Sequence, residues 1–258
     1  MVESAEEITV STPGIILASF IEILFPLVSS FIWIKNFNGK LSHILIGVSG
    51  FIFSVGIESV VLTIVSKIVE KESNFFYTVA AISPGLFEET GKYICIKYIY
   101  SKENTKNIAI SYGIGHGGIE SIIIGMSLFA NIFAKDTLIQ NGVLKESVTF
   151  LIALMSLVER LFAFILQISL SVINYKAVKE QLIKFYIFAI IIHDVIDLLP
   201  LTKLKGIITS IYVIELIVGI YCTCVSWFAY NIYRNFEDKS KEKIIPLEDK
   251  KDSSIINN

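Results

Sequence analysis

The chain has 258 residues, 53% of them hydrophobic and 18% charged, with a formal net charge of −2. That apolar content and a mean hydropathy of +0.67 exceed what a soluble domain of this length requires and indicate an integral membrane protein. No basic block accompanies the charge balance, so nothing in it points to a nucleic-acid partner, and five prolines with 15 glycines do not make a fibrous or disordered chain.

The first residues, MVESAEEITVST, carry Glu3, Glu6 and Glu7 and no lysine or arginine, which does not match the positive start of a signal peptide. Seven apolar stretches follow, at 13–34, 41–69, 75–100, 107–134, 148–175, 183–203 and 206–232. About 20 apolar residues cross a bilayer core as a helix, so the expected fold is all-α and polytopic, with about seven transmembrane helices. The third stretch is the least hydrophobic and qualifies by its context and aromatic ends. Residues 1–233 read as the transmembrane domain, and the polar, mixed-charge segment 234–258 reads as a mostly disordered cytoplasmic tail.

Lysine and arginine set the orientation. Lys35 and Lys40, Lys102 and Lys106, Lys176, Lys179 and Lys184, and the tail with Arg234, Lys239, Lys241 and Lys243 lie in one set of connections. Lys67 and Lys71, Lys135 and Lys145, and Lys203 and Lys205 lie in the other, together with the acidic N-terminus. The first set is richer, which predicts the N-terminus outside and the C-terminus in the cytoplasm. Cys95, Cys222 and Cys224 have no zinc or disulfide spacing and read as core or lipid-facing residues.

Two motifs fail their context tests. Gly113, Gly115 and Gly118 spell G-x-G-x-x-G, with Asp136 beyond them, but the motif binds a dinucleotide only after a strand, and here it falls in an apolar helix. Gly85 to Lys92 approaches a P-loop, with one residue too many between its glycines and Tyr93 where serine or threonine is required. The glycines at 113, 115, 117 and 118 are most simply a surface for a neighbouring helix.

Ionisable side chains deep in a bilayer are expensive and mark function by default. Here they are Glu88, Glu89 and Lys92 in the third stretch, His116 and Glu120 in the fourth, Glu159, Arg160 and Gln167 in the fifth, and His193, Asp194 and Asp197 in the sixth. Residues four apart share a helix face, so His116 pairs in position with Glu120, and His193 with Asp197. Lys92 is within reach of either Glu88 or Glu89. Pro84 removes a backbone donor and frees the Ala80 carbonyl, which predicts a kink just before the glutamates. Glu22, Glu58 and Glu215 have no partner at this spacing and read as structural or cavity-lining groups. Taken singly, several of these residues have structural readings, such as an intrahelical ion pair for Glu88 and Lys92. Together they predict a polar, watery cavity at one membrane depth.

Two adjacent carboxylates in a low-dielectric site do not both ionise easily, and one of them can take a proton from water. Neutral histidines can hold that water or donate to an oxyanion. Two histidines with carboxylates also suit zinc, although no H-E-x-x-H occurs. Buried acids and histidines equally build proton relays in transporters.

FEETGKY at 87–93, GHGGIES at 115–121, VER at 158–160 and HDVID at 193–197 resemble the YhfC family of bacterial membrane proteins, itself similar to the glutamate-type intramembrane proteases (the CPBP and CaaX prenyl endopeptidase group). The resemblance implies an intramembrane endopeptidase of the bacterial plasma membrane acting on a membrane peptide or protein. It implies that Glu88 and Glu89 include the base, that His116 holds the water, and that His193 and Asp197 support water and oxyanion. Lys92, Glu120 and Glu159 support the site, with Glu159 buried nearby. No cofactor is expected. In YhfC-like chains read as metalloproteases zinc is the possible metal, and its ligands here would be His116, His193 and Glu89. The wider group has arginine one position after Lys92, where this chain has Tyr93, and more often asparagine at the position of Asp197. A proton-coupled transporter and a non-catalytic membrane scaffold are the alternatives from other classes.

Overall fold

The computed structural model describes residues 8–71, 73–144 and 147–236. The acidic N-terminal residues, Lys145 and the polar tail beyond Phe236 lie outside the described residues. Among the described residues eight helices follow in order: α1 (Thr12–Phe37), α2 (Leu41–Ile68), α3 (Asn74–Tyr100), α4 (Asn107–Gln140), α5 (Phe150–Lys179), α6 (Ile183–Asp197), α7 (Leu199–Leu204) and α8 (Ile211–Arg234). No strand is named among the described residues; one isolated bridge, Val10 to Val148, ties the N-terminal segment to the entrance of α5.

The ends follow local chemistry. Ser73 caps α3 by accepting from the Phe76 amide at 3.2 Å, and Thr149 caps α5 by accepting from Ile152 at 3.2 Å. Asn38 closes α1 in the left-handed conformation, which asparagine tolerates better than most residues. Pro200 lacks the amide that would bond the Ile196 carbonyl, and the sixth span is divided there into α6 and the short α7.

Six helical stretches are long and apolar enough to cross a membrane, with α6 and α7 counted as one, and α3 falls short of that measure. The reason lies in its inward face. Ala81, Ser83, Gly85, Glu88, Glu89, Lys92, Ile96 and Ile99 are its buried residues; Ala81, Gly85, Glu88, Lys92, Ile96 and Ile99 follow at steps of three or four and form one stripe, which Ser83 and Glu89 flank. Ile82, Leu86, Ile94 and Tyr98 stay exposed on the other side. At 1.5 Å per residue α3 is about 40 Å long, which is sufficient for a bilayer. Phe53, Phe133 and Trp227 are each at least 70% exposed, as a lipid-facing surface allows and a soluble one rarely does. The architecture is that of an all-α multi-pass membrane protein.

α4 packs against α1, α2, α3 and α5, and α5 packs against α1, α3, α4, α6 and α8. The glycines of α4 make this possible. A Cβ at Gly113 would lie 2.6 Å from the Ile168 Cα, one at Gly117 2.9 Å from the Gln167 Cβ, and one at Gly118 3.2 Å from the Pro26 Cβ. A Cβ at Gly115 would collide with the Ile44 carbonyl oxygen, and reciprocally one at Gly47 with the Tyr112 carbonyl oxygen. Small residues thus let three backbones approach α4. Two prolines are also compensated. Pro26 leaves the Glu22 carbonyl without its helical donor, and Ser121 Oγ donates to it at 2.9 Å. Pro84 leaves that of Ala80, where Ser83 Oγ lies at 3.3 Å, and the α3 assignment runs through the proline.

Gly115→Ala is expected to lower the thermal unfolding midpoint in detergent, with an overpacking penalty of about 1–3 kcal/mol. Gly56→Ala, where a Cβ meets nothing within 4 Å, should leave it unchanged or raise it. Equal midpoints for the two variants would remove the claim that α2 and α4 touch through backbone.

Candidate active site

Glu88 and Glu89 are neighbours on α3, about 100° apart around its axis, and they turn to different partners. His116 Nε2 of α4 lies 2.9 Å from Glu88 Oε2, and Gln167 Nε2 of α5 donates to the same oxygen at 3.1 Å. Glu89 receives Lys92 Nζ and, at 2.8 Å, His193 Nδ1 of α6 on Oε1, and Asn174 Nδ2 at 2.6 Å on Oε2. Lys92 also donates to Gln167 Oε1, so one amide side chain joins the two halves. Glu88 is 6% exposed, His193 5%, and Glu89, Lys92 and His116 are fully buried.

The cluster continues in two directions. Gln167 Nε2 also donates to Glu120 Oε2 at 2.7 Å, and Arg160 reaches Glu120 at 3.3 Å and Glu159 more closely. His193 Nε2 lies 3.5 Å from Asp197 Oδ2. A cavity of about 350 Å³ between α5, α6, α7 and α8 is lined by Glu159, Arg160, Asp197 and Glu215 among others. Of the six carboxylates and histidines for which the sequence predicts one shared cavity (Glu88, Glu89, His116, Glu120, His193 and Asp197), Asp197 alone lines this one. Glu88 bonds His116 and Glu89 bonds His193 directly, and Glu120 is linked to Glu88 through Gln167.

The structure brings Glu88, Glu89, Lys92, His116, Glu120, His193 and Asp197 into one bonded chain. Lys92 chooses Glu89, three residues back, over Glu88, four back. Glu159 departs from its expected burial: its side chain is 34% exposed, and among the described residues it joins the cluster through Arg160. Glu58 accepts from Ser83 Oγ at 2.7 Å, Glu215 lines the cavity, and Glu22 is buried with neither carboxyl oxygen hydrogen-bonded. The third histidine, His43, sits by Glu103 at 3.6 Å, away from this group.

Sequence reasoning passes over Asn174. Arg160, Gln167 and Asn174 are seven residues apart, nearly two helical turns, and so fall on one face of α5 with a rise of about 10.5 Å between successive members. That heptad of polar residues in an apolar helix is the signal that finds it.

Residues 21–218 match the family model described as YhfC intramembrane metalloprotease. The chain is 25% identical to the uncharacterized membrane protein YhfC of Bacillus subtilis (strain 168), over 86% of this chain and 96% of that protein. This chain belongs to the YhfC family.

That description implies a metal, and the donor set can be tested for one. Among the described residues no group of three or more His, Cys, Asp or Glu side chains is gathered as metal ligands. Both oxygens of Glu89 are engaged, and the nearest cation to it is the ammonium of Lys92. His116 Nδ1 is buried without a hydrogen bond, but the two imidazoles are held on different carboxylates. As placed, these residues do not fit a zinc centre.

Removing one partner from a buried ion pair strands the other charge and costs about 3–5 kcal/mol. Lys92→Met is therefore expected to lower the melting midpoint sharply in detergent, and Lys92→Met with Glu89→Gln to recover most of the loss. A double variant no more stable than the single one would show that Lys92 is not there to balance Glu89.

Proposed function

We propose that the bonded cluster is the active site of an intramembrane endopeptidase in which Glu88 activates water against a peptide bond of a membrane-embedded substrate. Family membership supports intramembrane proteolysis. One observation supports the glutamate as the base: Glu89 has both oxygens engaged, whereas Glu88 Oε1 makes no hydrogen bond among the described residues and the side chain stays 8% exposed.

In this reading Glu88 Oε1 accepts a proton from water while His116 and Gln167 fix the carboxylate through Oε2. A base so held needs no reorganisation as the proton moves. His193 is held through Nδ1 by Glu89, which leaves its Nε2, 3.5 Å from Asp197 and not hydrogen-bonded to it, to donate toward the oxyanion of the tetrahedral intermediate. The proton taken by Glu88 returns to the leaving amine. Glu89 and Lys92 are positioning residues, since they touch His193 and Gln167 and not the reacting atoms, and Asn174 holds Glu89. Glu120 holds Gln167 in the same sense.

The zinc-dependent reading rests on the family description and makes opposite predictions. Purified protein is incubated with membrane peptides and the products are read by mass spectrometry. Wild type is expected to cleave with a strong chelator present, and Glu88→Gln to lose at least about 10²-fold in rate while keeping its melting midpoint. Full activity of Glu88→Gln would end the glutamate mechanism. Stoichiometric zinc, lost together with activity in His116→Ala and His193→Ala, would assign a metalloprotease. Solute transport with no cleavage of any peptide would assign a carrier.

A further inference from the structure

The cavity beside Asp197 has a composition that bears on what the site accepts. At about 350 Å³ it falls at the low end of the ~300–1,000 Å³ usual for ligand pockets, so it holds one or two side chains and not a folded segment. Leu166, Ile196, Leu199, Ile214 and Val218 give it apolar walls. Its charged groups are Glu159, Asp197 and Glu215 against Arg160 and Lys203.

Both cations are engaged. Arg160 bonds Glu120 and Glu159, and Lys203 has an interaction of its own. One of the acids is not matched. Glu215 makes no hydrogen bond or ion pair among the described residues, and it sits one turn inside the N-terminus of α8. Asp197 is ion-paired with His193, whose Nε2 lies 3.5 Å from its Oδ2. Glu215 stands on the cavity wall half-buried and without a counter-charge bonded to it, so the cavity favours an occupant that brings a positive charge on an apolar stem.

We propose that this cavity is the subsite for a basic side chain of the substrate, lysine or arginine, next to the scissile bond. Its methylene stem lies along Leu166, Ile196 and Val218, and its cationic head lies between Glu215 and Asp197. The assignment rests on the peptidase reading for the word substrate; the binding preference itself does not depend on it. Because the cavity meets the cluster at Asp197, a residue seated there leaves its backbone beside His193, where the oxyanion would form. Long basic side chains are also those that bury their stems in apolar surroundings while keeping the charge in a polar one.

The test uses apolar peptides of about 20 residues that carry Lys, Leu or Glu at one position near an end. Binding to Glu88→Gln protein in a neutral detergent is read by fluorescence anisotropy, and cleavage by wild type is read by mass spectrometry. The Lys peptide is expected to bind about tenfold more tightly than the Glu peptide, equivalent to about 1.4 kcal/mol. Glu215→Gln, a change of charge without a change of shape, should remove that preference, and Glu215→Lys should reverse it. Equal binding of the three peptides, or a preference untouched by Glu215→Gln, overturns the subsite. If wild type cleaves all three at one rate, the subsite is overturned while peptidase activity stands. If the Lys peptide binds preferentially through Glu215 and nothing is cleaved, the subsite stands and the peptidase reading falls.

Discussion

The bundle depends on one buried ammonium. Lys92 is fully enclosed between Glu89 and Gln167, and the placing of the other polar groups follows from it. Burying a carboxylate without a counter-charge or hydrogen-bond donors is costly. With Lys92 satisfying one oxygen of Glu89, His193 and Asn174 complete its coordination from α6 and α5. Glu89 is thereby removed from the reach of water, and its neighbour Glu88 is left with an oxygen to offer. Two chemically identical residues, adjacent in the chain, acquire different roles because a helix turns them toward different neighbours.

The second requirement is proximity, which the glycines of α4 supply. In lipid, apolar burial gives helices little reason to associate, and close packing with interhelical hydrogen bonds takes over. Gly115 rests on the Ile44 carbonyl, Gly113 on Ile168 and Gly117 on Gln167, so the bulky side chain of that stretch, His116, is pressed between α2, α3 and α5. Its ring stands edge-on to Phe51 at 5.1 Å between centroids and tilted against Tyr112 at 5.8 Å. The G-x-G-x-x-G string is accordingly a packing surface whose product is the orientation of an imidazole.

The all-α architecture and the helix positions were legible in the sequence, because apolar length and composition dominate in a membrane. Even the shortfall of α3 was visible there, and its cause is the inward face that carries Glu88, Glu89 and Lys92. The grouping of His193 with Asp197 followed from helical periodicity alone. What spacing did not contain was the choice of partner between helices. Lys92 could have met either glutamate, and nothing local said that Gln167 would sit among Lys92, Glu88 and Glu120. Asn174 escaped because an amide in an apolar run looks unremarkable until it is lined up with Gln167 and Arg160. That Glu88 meets His116 and Glu89 meets His193 by direct bonds was not legible either, since a periodic pattern fixes which face a side chain occupies and not how far apart two faces come to rest.

The weak hydropathy of α3 has a consequence for how the protein is made. Each charged residue at the centre of a lone helix costs about 2.5–3.5 kcal/mol on insertion, and α3 carries three. The groups that compensate them, His116, Gln167, Asn174 and His193, all belong to helices synthesised later in the chain. α3 therefore has no stable place in the bilayer as a solitary span. It enters as a member of a group, and its residence in the membrane becomes secure only when α4, α5 and α6 have emerged to receive its polar face. Biogenesis and the construction of the polar cluster are then one event, and a chain truncated before α5 would lack an inserted third helix as well as the completed cluster.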